Sequence, residues 1–121
     1  MSTIFETRIK AIGPEAENMI EEAGMFILFG DGAPDDLAQY CFTIDNKEVN
    51  GEIQPGGQLL IDGHAYPITA VGNVVEKNLS ALGHITVSLD GSLESSLPGT
   101  LHVDVDYVPV LKEGALIQIV A

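Results

Sequence analysis

The chain has 121 residues, of which 45% are hydrophobic and 19% charged, enough apolar material to fold as one domain spanning residues 1–121. Eighteen acidic residues stand against five basic ones, a formal net charge of -13. Arg8, Lys10, Lys47, Lys77 and Lys112 are scattered, which argues against nucleic acid or an anionic membrane surface and favours encounter with a basic protein partner.

No apolar run approaches the roughly 18 to 20 residues of a membrane span, and Met1 to Glu6 lacks the layout of a signal peptide, so a cytoplasmic location is expected. Cys41 is the single cysteine, which excludes an internal disulfide.

In chain order, the pattern predicts a strand over Thr3 to Ile12 and a helix over Pro14 to Ala23. That helix carries proline in its first turn, Ala16, Met19, Ile20 and Ala23 at helical spacing, and a stop at Gly24. Strands follow at Met25 to Phe29 and Cys41 to Val49, with a single helical turn after Pro34 between them. Gln58 to Ile61 and Ala65 to Val71 flank Asp62-Gly63, a strong hairpin signal. A second helix covers Val74 to Leu82, with Asn73 as its cap, Glu76 in a capping box, Val75, Leu79 and Leu82 as its buried stripe, and Gly83 as a left-handed stop.

After it, Ile85, Val87 and Leu89 should point inward and His84, Thr86 and Ser88 outward, with Asp90-Gly91 as a further hairpin signal. Thr100 to Tyr107 alternates strictly, placing Leu101, Val103, Val105 and Tyr107 on one face and Thr100, His102, Asp104 and Asp106 on the other. Ala115 to Val120 closes the series. Many short strands with turn signals between them predict a mostly β, single-domain, barrel-like fold of short antiparallel strands with one or two short helices.

The candidate chemistry rests on three histidines. His84 stands between a helix stop and a strand, so two regular elements fix it while its ring faces outward. A neutral imidazole nitrogen there can act as a nucleophile if the helix-end carbonyls hold the other nitrogen. Helix C-termini attract histidine in any case, so local sequence favours a plain polar seal. His64 reads as an exposed hairpin residue. His102 shares a face with Asp104, which could orient its ring, although alternating polar residues produce that spacing by chance.

A metal site built from the three histidines has no supporting spacing. Cys41, between Tyr40 and Phe42, reads as a buried structural thiol. The pairs Asp35-Asp36 and Glu21-Glu22 read as solvated helix faces. With no phosphate loop and no dinucleotide fingerprint, no cofactor is expected.

Gly32-Ala33-Pro34, Asp36-Leu37, Tyr40-Cys41-Phe42, Tyr66-Pro67-Ile68-Thr69-Ala70-Val71-Gly72, Asn78-Leu79, Leu82-Gly83-His84-Ile85-Thr86 and Pro98-Gly99-Thr100-Leu101-His102-Val103 occur in this order along nearly the whole chain. Together they resemble the glucitol/sorbitol-specific enzyme IIA of the bacterial phosphotransferase system. The resemblance implies a cytoplasmic, barrel-like phosphocarrier. It would be phosphorylated on histidine by the carrier protein HPr and would pass the group to the IIB component for sorbitol uptake through the IIB and IIC components.

Enteric members of that family carry a histidine just after Cys-Phe, where this chain has Thr43-Ile44-Asp45. His64, His84 and His102 each match a histidine of the family pattern. His84 ranks first as phosphate acceptor because it lies in the longest matching block, followed by His102 and then His64. Thr86 and Thr100 are the hydroxyls expected to bond the phosphoryl oxygens. The alternative is a regulatory or docking module of the same fold that binds HPr without transfer.

Overall fold

The structure, a computed structural model, describes residues 3–121. Among these are eight strands and three short helices: β1 (Thr3–Ile12), α1 (Ala16–Ala23), β2 (Met25–Phe29), α2 (Asp35–Ala38), β3 (Cys41–Ile44), β4 (Gln58–Ile61), β5 (His64–Val71), α3 (Val75–Leu82), β6 (Ile85–Ser88), β7 (Thr100–Val103) and β8 (Leu116–Val120). The strands close into a barrel in the order β1-β3-β2-β6-β7-β5-β4-β8, so none keeps a free edge. No helix among the described residues is long and apolar enough to cross a membrane.

Alternation along the strands fills the barrel. Phe5, Ile9, Phe26, Leu28, Phe42, Leu59, Ile68, Ile85, Val87, Leu101, Val103 and Ile117 form one buried cluster. Phe26 and Phe42 meet edge to face at 6.3 Å, a favoured aromatic geometry. The helix α1 lies over β2 and buries Ala16 and Ile20 from the apolar stripe read in the sequence.

Asp62-Gly63 makes the expected tight hairpin, with Ile61 opposite His64 and positive φ at both turn residues, 49° and 85°. Asp90-Gly91 does not make a hairpin. Strands β6 and β7 are parallel neighbours, as are β2 and β3, so each pair needs a crossover in place of a two-residue turn. The segment after Asp90 is that crossover for β6 and β7, and α2 lies within the other.

Two predicted strands end early. The third stops at Ile44, where Asp45 turns back to accept hydrogen bonds from Thr7 Oγ1 and the Arg8 N–H, each at 3.0 Å. The strand from Thr100 stops at Val103, so Tyr107 lies on the surface, 56% exposed, and not on an inward face. The helix starts shift as well. Helix α1 begins after Glu15, and α3 after Val74, whose side chain cannot cap. Asn73 does not cap α3, and Glu76 accepts the N–H of Ile53 at 3.2 Å, so a tertiary bond takes the place of the capping box.

Candidate functional site

The junction of α3 and β6 is built around Gly83. Its φ of 71° is left-handed, and a Cβ there would stand 2.7 Å from the Gly30 nitrogen, so only glycine ends the helix at this point. The chain then turns directly into β6, and the register that pairs Leu28 with Ile85 sets His84 across from Phe29. Their rings stack, centroids 4.7 Å apart and planes 24° from parallel.

The ring of His84 is half-buried, and neither of its nitrogens has a hydrogen-bond partner among the described residues. None of the helix-end carbonyls expected to hold one nitrogen bonds the ring, and four already accept other donors. Asn78 and Leu79 oxygens accept the N–H groups of His84 and Gly83, the Ala81 oxygen accepts from Lys47 Nζ at 2.9 Å, and the Leu82 oxygen accepts from the Gly30 N–H at 3.0 Å. Burial pushes the His84 imidazole below its ordinary pKa, because the charged form loses hydration there. The outcome is a rigid, neutral ring with both nitrogens available.

Thr86 follows on the same strand, half-buried and opposite Thr100 in the neighbouring strand. Thr100 is only 5% exposed, so of the two hydroxyls Thr86 is the more accessible. Beyond the contact of Gly83 with Gly30, an open cavity of about 280 Å³ is lined by Gly30, Asp31 and Ile44 to Lys47. His84 does not line it. Ile44 itself is 1% exposed, its side chain belonging to the barrel core.

His102 is not on a solvated face. It is 1% exposed, because the crossover from β6 to β7 folds back over that side of β7. Its Nδ1 lies 2.8 Å from Asp90 Oδ1, and its Nε2 accepts the Ser96 N–H at 3.2 Å with Ser96 Oγ at 3.0 Å. Since Nε2 accepts, Nδ1 carries the proton and donates to Asp90. Asp104, the partner expected from the sequence, is exposed, and its backbone N–H bonds to Pro67.

The order Ser96, His102, Asp90 is that of a hydrolytic triad, but the lone pair a base needs is shared with a backbone amide. This arrangement pins the crossover. The imidazole bond, then the Ser92 N–H, hold Asp90 below the usual carboxylate range.

His64 is half-exposed at the opposite end of the barrel, with Nε2 2.9 Å from Asp106 Oδ1. The three histidines are therefore not assembled into one site, and no group of three or more His, Cys, Asp or Glu residues among the described ones could hold a metal ion. Cys41 is 1% exposed and donates to the Leu37 carbonyl at 3.3 Å, with its pKa raised by burial to about 11, as suits an inert structural thiol.

Sequence reasoning missed Phe29, Asp90, Ser96 and Asp106 as histidine partners. No local signal marks them, since Asp106 lies 42 residues from His64 and Asp90 lies 12 from His102. The one available hint was the outward face of β2, which has to carry something where it meets His84.

Similarity to known proteins agrees with the block pattern. Proteins described as the PTS system glucitol/sorbitol-specific EIIA component from Escherichia coli (strain K12) and Shigella flexneri are each 45% identical over 103 residues, covering 85% of this chain and 83% of theirs. The crystal structure of the PTS System IIA Component from Enterococcus faecalis V583 superposes with a TM-score of 0.84 over 97% of this chain and 100% of that one. At 23% identity it speaks for the shared fold. The family described as PTS system glucitol/sorbitol-specific IIA component matches residues 4–118. The chain belongs to that family, the glucitol/sorbitol-specific IIA components of the phosphotransferase system.

Proposed function

We propose that the chain is a cytoplasmic phosphocarrier that accepts a phosphoryl group from phospho-HPr on His84 and passes it to the cysteine of the sorbitol-specific IIB component, for uptake through IIC. The observation that carries this reading is the state of the three rings. Both nitrogens of His102 and one of His64 are engaged within the protein, whereas His84 has both free on a half-exposed ring.

In the first step a lone pair of a His84 nitrogen attacks phosphorus in line with the donor. The phosphorus–nitrogen bond of the donor phosphohistidine breaks, and its electron pair returns to the donor ring. In the second step a cysteine thiolate attacks the same phosphorus, and the electron pair goes back to His84. Stacking on Phe29 fixes the ring before either encounter, so catalysis draws mainly on positioning. The Thr86 hydroxyl is the near donor to a phosphoryl oxygen. The net charge of -13 speeds docking of a basic carrier and opposes storage of a phosphate dianion.

One observation favours a second reading, a docking module that binds HPr without transfer. Where the enteric pattern has a histidine after Cys-Phe, Ile44 is committed to the core and offers no acceptor. Incubation with phosphoenolpyruvate, enzyme I and HPr separates the two. Phosphotransfer predicts one acid-labile phosphoryl group per chain, absent in His84→Gln. Retention of the label in His84→Gln removes the residue assignment, and a stable complex with HPr that leaves the chain unlabelled selects the docking module.

A further inference from the structure

The parallel strands β6 and β7 both begin at the His84 end of the barrel, while β5 runs antiparallel to β7 and begins at the other end. There the segment after β7 leaves Tyr107, Val108 and Val110 at 56%, 57% and 70% exposure, within four consecutive residues and in no regular element. Such a cluster costs solubility unless something covers it.

Its geometry is not that of a loose loop. The rings of His64 and Tyr107 lie 4.5 Å apart, and His64 meets the buried Tyr66 at 4.8 Å. Asp106 Oδ1 holds His64 Nε2 at 2.9 Å and the Tyr107 N–H at 3.0 Å. An open cavity of about 230 Å³ lies between these rings and Val110, with Asp62 at its rim. The Leu116 N–H takes one oxygen of Asp62. Among the described residues no lysine or arginine pairs with Asp62 or Asp106.

Aromatic faces beside carboxylates that no lysine or arginine among the described residues pairs with, flanked by branched apolar side chains, fit a cationic side chain set between apolar ones. The overall charge of -13 makes a lipid or nucleic-acid occupant unfavourable. Cytoplasmic loops of membrane proteins carry an excess of lysine and arginine next to apolar segments.

We propose that this end of the barrel docks a Lys/Arg-rich, apolar-flanked cytoplasmic loop of the membrane-embedded component of its transport system. The inference rests on the reading of the chain as a phosphotransferase carrier. It gives that carrier two working ends: one tethered to the transporter, the other presenting His84 to the soluble phosphoryl donor.

The test titrates the full-length, nitrogen-15-labelled chain with synthetic peptides copying each cytoplasmic loop of the sorbitol-specific membrane component, at low and raised salt. The expected result is a peptide that shifts His64, Tyr66 and Tyr107 amide signals while leaving Phe29 and His84 unmoved, with affinity falling as salt rises. The double variant Val108→Ser/Val110→Ser, at exposed positions that leave folding intact, should bind at least about tenfold more weakly, since two buried methyl-bearing contacts are lost.

Absence of binding by every loop peptide overturns the proposal. So do shifts confined to the His84 end, or equal affinity in the double variant. HPr-dependent labelling is run in parallel. Weakened peptide binding in the double variant with its labelling intact confirms that the two ends are separate, whereas an unlabelled parent chain overturns phosphotransfer without touching the docking result.

Discussion

His84 stands just before β6 and His102 within β7, its parallel neighbour, yet the fold makes opposite things of them. His84 precedes the first residue of β6, where its ring stacks on Phe29 and neither nitrogen has a hydrogen-bond partner among the described residues. His102 is the third residue of β7, covered by a crossover that exists because β6 and β7 are parallel, and both its nitrogens are used. A side chain whose hydrogen-bonding capacity is consumed by the fold serves stability. One left unsatisfied at a rigid junction remains available for chemistry.

The widest separation between the two should come from His102→Ala. Removing a buried ring leaves a cavity and strips Ser96 and Asp90 of their shared partner, a loss of about 2–4 kcal/mol, read as a lower melting temperature. Below that temperature, labelling at His84 should persist. Loss of labelling in a fully folded His102→Ala protein would break the contrast.

Gly83→Ala comes next. Its Cβ would meet Gly30, and the left-handed conformation disfavours it, at about 1–3 kcal/mol. Because the same strain displaces His84, labelling should slow here even at temperatures where the fold is intact, unlike in His102→Ala. Thr86→Val should leave melting nearly unchanged and slow phosphoryl acceptance by about two- to tenfold, the worth of one hydrogen bond.

The pH dependence has opposite origins in the two regions. Asp90 has its carboxyl pKa depressed in the folded state, so its contribution to stability is present above the ordinary carboxylate range and is lost as pH falls through the depressed value. Asp90→Asn should therefore flatten the acid limb of a melting-temperature profile. His84 also has a depressed folded-state pKa, but for a base this keeps the ring neutral in the native protein below the ordinary histidine value of about 6.5. Its stability cost appears only as pH falls below that value, when the unfolded chain takes the proton first. The labelling rate, which depends on the native ring, should accordingly stay steady through about pH 6.5 and decline only at the lower pH where the folded ring takes its proton.

Much was legible in the sequence because it rests on local physics. The left-handed glycines 24 and 83 end their helices, Asp62-Gly63 turns its hairpin, and alternation marks Ile85, Val87, Leu101 and Val103 as core. The ordered blocks from Gly32 to Val103 carried the family. Alternation also assigned His102 to solvent, and there it misled, since period two says which residues share a face but not whether a second layer covers that face.

By itself, then, the sequence determined the class of fold, the family and a short inventory of histidines, since periodicity, turn chemistry and composition act over a few residues. Which histidine is free, which is pinned and which holds a loop at the far end was decided by contacts to Phe29, Asp90, Ser96 and Asp106. Those contacts exist only once the barrel closes and brings distant segments within hydrogen-bonding reach.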